Sequence, residues 1–230
     1  MTQDEAKRKA ARRALDFVED GMSLGLGSGT TSAIFIRELG ERVKQGLKVR
    51  GIATSIASQQ LAESLSIPLT NFEQTPELDL AIDGADEIAP VPGQGLALIK
   101  GGGGALLREK IVESAARQFI VVADSTKLVQ TLGKFPLPVE VIKMALPIVA
   151  PRLEALRLNP RLRRHPDGSL YITDEGNFIL DCAAGSIPDP AKTAAAIRSI
   201  VGVVEHGLFL NMATLALIAG EDGVREIRPN

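Results

Sequence analysis

Leu96-Ala97-Leu98-Ile99-Lys100-Gly101-Gly102-Gly103-Gly104-Ala105-Leu106-Leu107-Arg108-Glu109-Lys110 is the stretch that decides the fold class. Four apolar residues read as a buried strand that ends in a cation. Four glycines then turn the chain without side chains, and a helix follows with a carboxylate in its early turns. A strand, a glycine turn and a helix make the repeating step of an α/β protein. Such a turn lets a ligand approach bare amides at the positive end of a helix. Lys100 and Glu109, brought to one rim, can stabilise an anion and move a proton. That pairing points to an enzyme for a small anionic substrate.

Outward from this stretch, strands and helices alternate. Residues 7–18 carry a helical apolar stripe of Ala10, Ala14, Phe17 and Val18. Strands are expected at 22–26, 48–53, 68–69, 78–82, 96–99 and 119–123, and helices at 31–39, 58–65 and 105–116. The alternation predicts a doubly wound parallel sheet covered on both faces. After Gly133-Lys134-Phe135-Pro136-Leu137-Pro138 the pattern changes. A strand at 139–142, helices at 147–156 and 190–200, and a strand at 203–205 surround an expected hairpin. Its arms are 170–173 and 178–181, joined by Asp174-Glu175-Gly176-Asn177. Residues 208–227 read as two strands about Gly220-Glu221-Asp222-Gly223 that return to the first sheet. The division expected is 1–133 plus 207–230 as a doubly wound α/β unit, with 134–206 as a smaller α+β insertion.

Composition narrows the function. The 230 residues are 45% hydrophobic and 23% charged, ordinary for a soluble globular protein. A net charge of -2 gives no general attraction to nucleic acid or anionic membrane. One cysteine, Cys182, forms no internal disulfide. The charged N-terminal segment lacks an apolar signal core, and no apolar run spans a bilayer. A cytoplasmic location is expected.

Three further strand ends carry polar or glycine-rich groups. In Gly25-Leu26-Gly27-Ser28-Gly29-Thr30-Thr31, backbone amides and hydroxyls suit a phosphate at a helix start. A dinucleotide fingerprint fails there, because Thr30 or Ser32 replaces the third glycine and no acid ends the next strand. A nucleotide P-loop fails too, since no lysine follows Gly29. The plainer alternative is a tight turn that lets helix pack on strand. Asp83-Gly84-Ala85-Asp86-Glu87 offers carboxylates for sugar hydroxyls, or else a solvated acidic turn. It lacks the remaining ligands of a calcium loop and any histidine for zinc. Lys127, in Ala123-Asp124-Ser125-Thr126-Lys127, adds a second cation to this edge. Arg157, Arg161, Arg163, Arg164 and His165 read as a solvated basic face. His206 reads as a surface residue and Cys182 as core.

With these motifs in this order, the chain resembles ribose-5-phosphate isomerase of the A type over nearly its whole length. The resemblance implies a Rossmann-like domain with a ferredoxin-like insert, assembled as a homodimer or homotetramer. It implies interconversion of D-ribose 5-phosphate and D-ribulose 5-phosphate without cofactor or metal. Carried over by matching positions, Glu109 is the base, and Asp83, Asp86 and Lys100 line the sugar. Gly84 and Ala85, with Gly101, Gly102 and Gly103, bring backbone close. Ser28, Gly29, Thr30, Thr31 and Lys127 hold substrate with the phosphate near Thr30 and Thr31, and Lys7 lies near the phosphate. Three other classes stay open at this point: an acyl-CoA transferase with a glutamate nucleophile, a sugar-phosphate sensor that binds without turnover, and, less favoured, a methyltransferase that would bind S-adenosylmethionine.

Overall fold

The computed structural model describes residues 1–91 and 95–229. In chain order the elements are α1 (Gln3–Leu15), β1 (Ser23–Leu26), α2 (Gly29–Lys44), β2 (Arg50–Ala53), α3 (Ile56–Ser64), β3 (Leu78–Asp83), β4 (Glu87–Val91) and β5 (Gly95–Ile99). There follow α4 (Leu106–Ser114), β6 (Ala116–Asp124), β7 (Leu137–Val141), α5 (Leu146–Ala155), β8 (Pro160–Leu162), β9 (Phe178–Cys182) and α6 (Pro190–Arg198). The chain closes with β10 (Val203–His206), β11 (Leu208–Leu210), β12 (Leu215–Gly220) and β13 (Gly223–Ile227).

Six strands form a sheet in the order β13-β12-β6-β3-β1-β2. All its pairings are parallel except β12 with the edge strand β13. The central strands are apolar on both faces because both faces are covered. Leu24, Leu26, Leu80, Ile82, Ile120, Val122 and Leu217 pack with α1 and α2. Ala81, Phe119, Val121, Ala216 and Ile218 face the other way, toward β4, β5 and β11. Helix α1 enters through a capping box, in which Thr2 accepts from the Glu5 amide and Glu5 accepts from the Thr2 amide.

The strand that carries Lys100 does not join this sheet. Strand β5 lies between β4 and β11 in a separate antiparallel ribbon of three strands. Alternation explains the placement. Ile88, Leu96, Leu98 and Phe209 face the parallel sheet's core, while Ala89, Ala97, Ile99 and Leu208 face the core beneath the four-stranded sheet. Both faces are therefore dry, and each fully buried aliphatic side chain contributes about 1.5–3 kcal/mol. The sequence reading put 96–99 in a parallel array and missed β4 and β11, since a short apolar strand does not reveal its partner.

The four-stranded antiparallel sheet runs β10-β7-β9-β8 and carries α5 and α6. The expected hairpin between 170–173 and 178–181 is overturned. Strand β9 pairs with β7 and β8, and residues 170–173 form no strand. The Asp174–Asn177 turn does exist, closed by Gly176 N to Thr173 O at 2.8 Å. Local turn chemistry held there, but the partner strand comes from residues 160–162 instead. The tail follows the expectation in part: β12 extends the parallel sheet and β13 folds back on it, with β11 diverted to the ribbon.

Candidate active site

The loops after β1, β3, β5 and β6 converge on one cleft of about 140 Å³. Lining it are Lys7, Ser28, Gly29, Thr30, Thr31, Asp83, Gly84, Ala85, Asp86, Lys100, Gly101, Gly102, Gly103, Glu109 and Lys127, every position that the resemblance assigns to substrate or catalysis, together with Gln3. Gln3 precedes Lys7 by four residues on α1, hence on the same helix face, a spacing that could have found it.

Asp83, at the end of β3, is the hub. Its Oδ1 accepts from Ser28 N at 2.9 Å, Gly84 N at 2.7 Å and Ser32 Oγ at 2.7 Å. The approach is so close that a Cβ on Gly27 would lie 2.3 Å from the Asp83 carboxyl. This requirement explains a glycine at position 27 without any appeal to backbone flexibility. Its other oxygen, Oδ2, lies 2.9 Å from Lys100 Nζ.

Lys100 is almost wholly buried. Its ammonium donates to Gly84 O at 2.6 Å and lies 3.2 Å from Glu113 Oε1 and 3.6 Å from Glu109 Oε2. The rings of Phe119 and Phe209 lie 5.9 and 5.4 Å away, closing it off from water. Burial alone pushes an ammonium pKa down, but Asp83, Glu109 and Glu113 outweigh it and the net shift is upward. Lys100 is therefore a fixed cation.

Helix α4 carries Glu109 in its first turn and Glu113 one turn later, both on the buried face. Glu109 is 4% exposed, and its Oε2 makes no hydrogen bond among the described residues. Burial raises its pKa to about 7; Lys100 opposes the rise while Asp83 and Asp86 add to it. Asp86 is also raised by burial, while the Gly102 amide, donating to its Oδ2 at 2.8 Å, pulls the other way. Glu113 was not singled out from the sequence, although its spacing of four from Glu109 places both carboxyls on one face.

At the other end of the cleft, Ser28 is the N-cap of α2, yet its side chain caps nothing. Its hydroxyl pairs instead with Thr54 Oγ1 at 2.7 Å and Ser58 Oγ at 3.2 Å. The first amides of α2 are left facing the cleft, where the helix dipole favours an anion. Lys7 Nζ donates to Thr30 Oγ1 at 3.2 Å, and Lys127 follows β6 in a single 3-10 turn. Two cations and a helix N-terminus thus lie opposite the carboxylate cluster. Among the described residues no group of three His, Cys, Asp or Glu is arranged to hold a metal ion. No helix among them is long and apolar enough to cross a membrane.

Three outlying readings change. Arg163 does not belong to a solvated face: it pairs with Asp181 at 2.5 Å and donates to Gly101 O at 3.0 Å and Gly102 O at 3.1 Å. Tyr171 donates to Gly103 O at 3.0 Å, so residues beyond β7 brace the glycine turn. Nothing local in the sequence announces contacts made over sixty positions. His206 is buried, not on the surface, and its pKa falls to about 4, from burial first and Lys110 second. Glu87, last of the acidic turn, lies outside the cleft and accepts from Gly133 N and Phe135 N, both at 2.7 Å. Cys182 is buried as expected, its thiol raised to about 12 by burial.

A parallel α/β sheet whose strand ends gather a buried carboxylate, a buried ammonium and an open helix start defines an enzyme for small anionic substrates. Comparison with known proteins narrows the class. The family model of ribose 5-phosphate isomerase A (phosphoriboisomerase A) matches residues 50–223. Ribose-5-phosphate isomerase A of Parvibaculum lavamentivorans is 50% identical over 229 residues, covering 97% of each chain. The solved ribose 5-phosphate isomerase A of Methanocaldococcus jannaschii superposes with a TM-score of 0.93 at 40% identity, covering 99% of this chain and 100% of that one. A D-ribose-5-phosphate isomerase in complex with phospho-erythronic acid superposes at 0.94 with 39% identity, covering 99% and 100%. The chain belongs to the ribose 5-phosphate isomerase A family and is an isomerase.

Proposed function

We propose that the chain interconverts D-ribose 5-phosphate and D-ribulose 5-phosphate through an enediolate, with Glu109 as the base. The observation that carries this reading is a buried carboxylate with a pKa of about 7 beside a buried ammonium in the cleft. A base for carbon acids must be ionised at neutral pH yet keep its affinity for a proton, and a value near neutrality meets both needs. The phosphate docks on the α2 amides with Thr30, Thr31, Lys7 and Lys127. Asp83 takes the C1 hydroxyl proton and returns it to the ring oxygen as the C1–oxygen bond of the closed sugar breaks, and Asp86 holds a neighbouring hydroxyl. Glu109 removes the C2 proton, and the electron pair moves into a C1–C2 double bond as the carbonyl oxygen becomes negative. Lys100 and nearby glycine amides stabilise that oxyanion in a water-poor site. The hydroxyl proton of the C2 oxygen passes to the C1 oxygen, and returning the carbon-bound proton to C1 as the C2 oxygen becomes the carbonyl completes the isomerisation, so one carboxylate serves both carbons.

The relative solved with phospho-erythronic acid supports a phosphorylated sugar acid as a competing ligand for this cleft. The same reading takes 134–206 as a smaller unit whose Arg163 and Tyr171 hold the glycine turn, and the protein as a homodimer or homotetramer in the cytoplasm. The test is conversion of ribose 5-phosphate by chelator-treated protein, with Glu109→Gln as control. Metal-free turnover lost in the variant supports the assignment. A variant that turns over at near-normal rate sinks it.

A further inference from the structure

Glu113 has no part in the steps above, yet its side chain is completely buried with Oε1 3.2 Å from Lys100 Nζ. Neither of its oxygens accepts a hydrogen bond, and Asp83 Oδ2 is in the same position. Asp83 Oδ2 and Glu113 Oε1 flank the same ammonium, 2.9 and 3.2 Å from Lys100 Nζ, which brings the two carboxyl groups to one point. Lys100 has three N–H groups, and Gly84 O takes one of them. Two remain for three acids. Asp83 already accepts three donors on Oδ1, which calls for the ionised form. Glu109 must be ionised to act as a base. The cations on the outer side of α4 are committed elsewhere: Lys110 lies 2.9 Å from Glu205 Oε1, and Arg198 2.6 Å from Glu205 Oε2. His206, beside Glu205, is held neutral by burial. A dry carboxyl group without a donor of its own takes up a proton.

We propose that Glu113 is a positioning residue that works as a neutral acid, donating its proton to Asp83 Oδ2 and leaving the charge of Lys100 to Asp83 and Glu109. One shared proton satisfies the orphaned oxygen of Asp83 and removes the third negative charge from around a single ammonium. Burial agrees, holding the Glu113 acid well above the usual carboxylate range although Lys100 opposes it. The inference rests on the isomerase reading for its catalytic meaning, but the proton itself is observable without turnover.

Infrared spectroscopy of the protein at about pH 9, where Glu109 with its pKa of about 7 is ionised, tests it. The parent should show the carbonyl stretch of a protonated carboxylic acid, and Glu113→Gln should remove that band. In kinetics, Glu113→Gln keeps a donor toward Asp83 and an acceptor toward Lys100. It should hold kcat, and the acid limb of the rate profile, close to the parent. Glu113→Leu loses the donor and should lower kcat about tenfold with KM little changed, the size expected for one hydrogen bond to a charged group. No acid band in the parent overturns the proposal. So does a Gln variant as impaired as the Leu variant, or an acid limb that moves down when Gln is introduced. A parent that shows the band but does not isomerise ribose 5-phosphate defeats the isomerase reading and leaves the protonated acid standing.

Discussion

Two lysines stand ten residues apart, Lys100 buried ahead of α4 and Lys110 half-buried within it, and their surroundings are opposite. Lys110 donates to Glu205 Oε1 at 2.9 Å, His206 O at 2.6 Å and Leu208 O at 2.9 Å, and Glu205 also binds Arg198. Every proton of that ammonium has an acceptor, and the Glu205 carboxylate has donors for both oxygens. Lys100 instead faces three carboxyl groups, with orphaned oxygens on Asp83, Glu109 and Glu113. A balanced cluster ties α4 to β10 and β11. An unbalanced one costs stability, and the fold keeps it where it holds a proton poised to move.

The sharpest break of the comparison is Glu109→Gln. Removing the proposed base should lower kcat by about 1,000-fold or more with KM within a few-fold. Thermal stability should not fall, because one buried charge has been taken away. Lys100→Met comes next. It should abolish turnover and destabilise by about 3 kcal/mol at alkaline pH, since removing one partner strands buried carboxylates. The penalty should shrink on acidification as those groups take up protons, which urea titrations at two pH values will show. Lys110→Met should act the other way round, losing about 2 kcal/mol in urea unfolding while kcat stays within a few-fold.

In the parent, the smallest visible effect is the near-cancellation of two opposed pH slopes. Glu109 has a folded pKa of about 7, raised from 4.5, so the folded state binds its proton more tightly. The stability it contributes is complete below about 4.5 and is lost as pH rises through about 7, roughly 3 kcal/mol in all. His206 is depressed from 6.5 to about 4, so its contribution is present above 6.5 and is lost as pH falls through about 4. The slopes oppose each other between about 4.5 and 6.5, leaving the parent nearly flat there. Glu109→Gln should leave stability rising with pH across that window, and His206→Asn should leave it falling, read from Tm against pH.

How far the sequence disclosed this divides along the same line. The Lys100 cleft was legible because its groups sit at strand ends beside glycines, where local signals mark both the turn and its exposure. Glycine-rich turns after β1 and β5, and the acid-glycine turn after β3, declare themselves within a few residues. Glu113 was missed although α4's periodicity offered it, because a glutamate in a helix reads as solvated until its burial is known. The Lys110 cluster was not legible at all, for its acceptors lie on β10 and β11 some hundred positions away, and His206 read as a surface residue. Strands β4, β8 and β11 were lost similarly, their three to five residues carrying no period of their own. The false hairpin shows the converse: the Asp174–Asn177 turn is real, but turn chemistry does not choose the partner strand.

The most direct test follows the proton. Ribose 5-phosphate deuterated at C2 should isomerise with a primary isotope effect, and the ribulose 5-phosphate formed should carry part of the label at C1 and lose the rest to water through Glu109. The Glu109→Gln protein should bind the sugar phosphate and transfer no label. Complete retention of deuterium at C1, or label transfer by the Gln variant at near-normal rate, would contradict proton shuttling by this carboxylate.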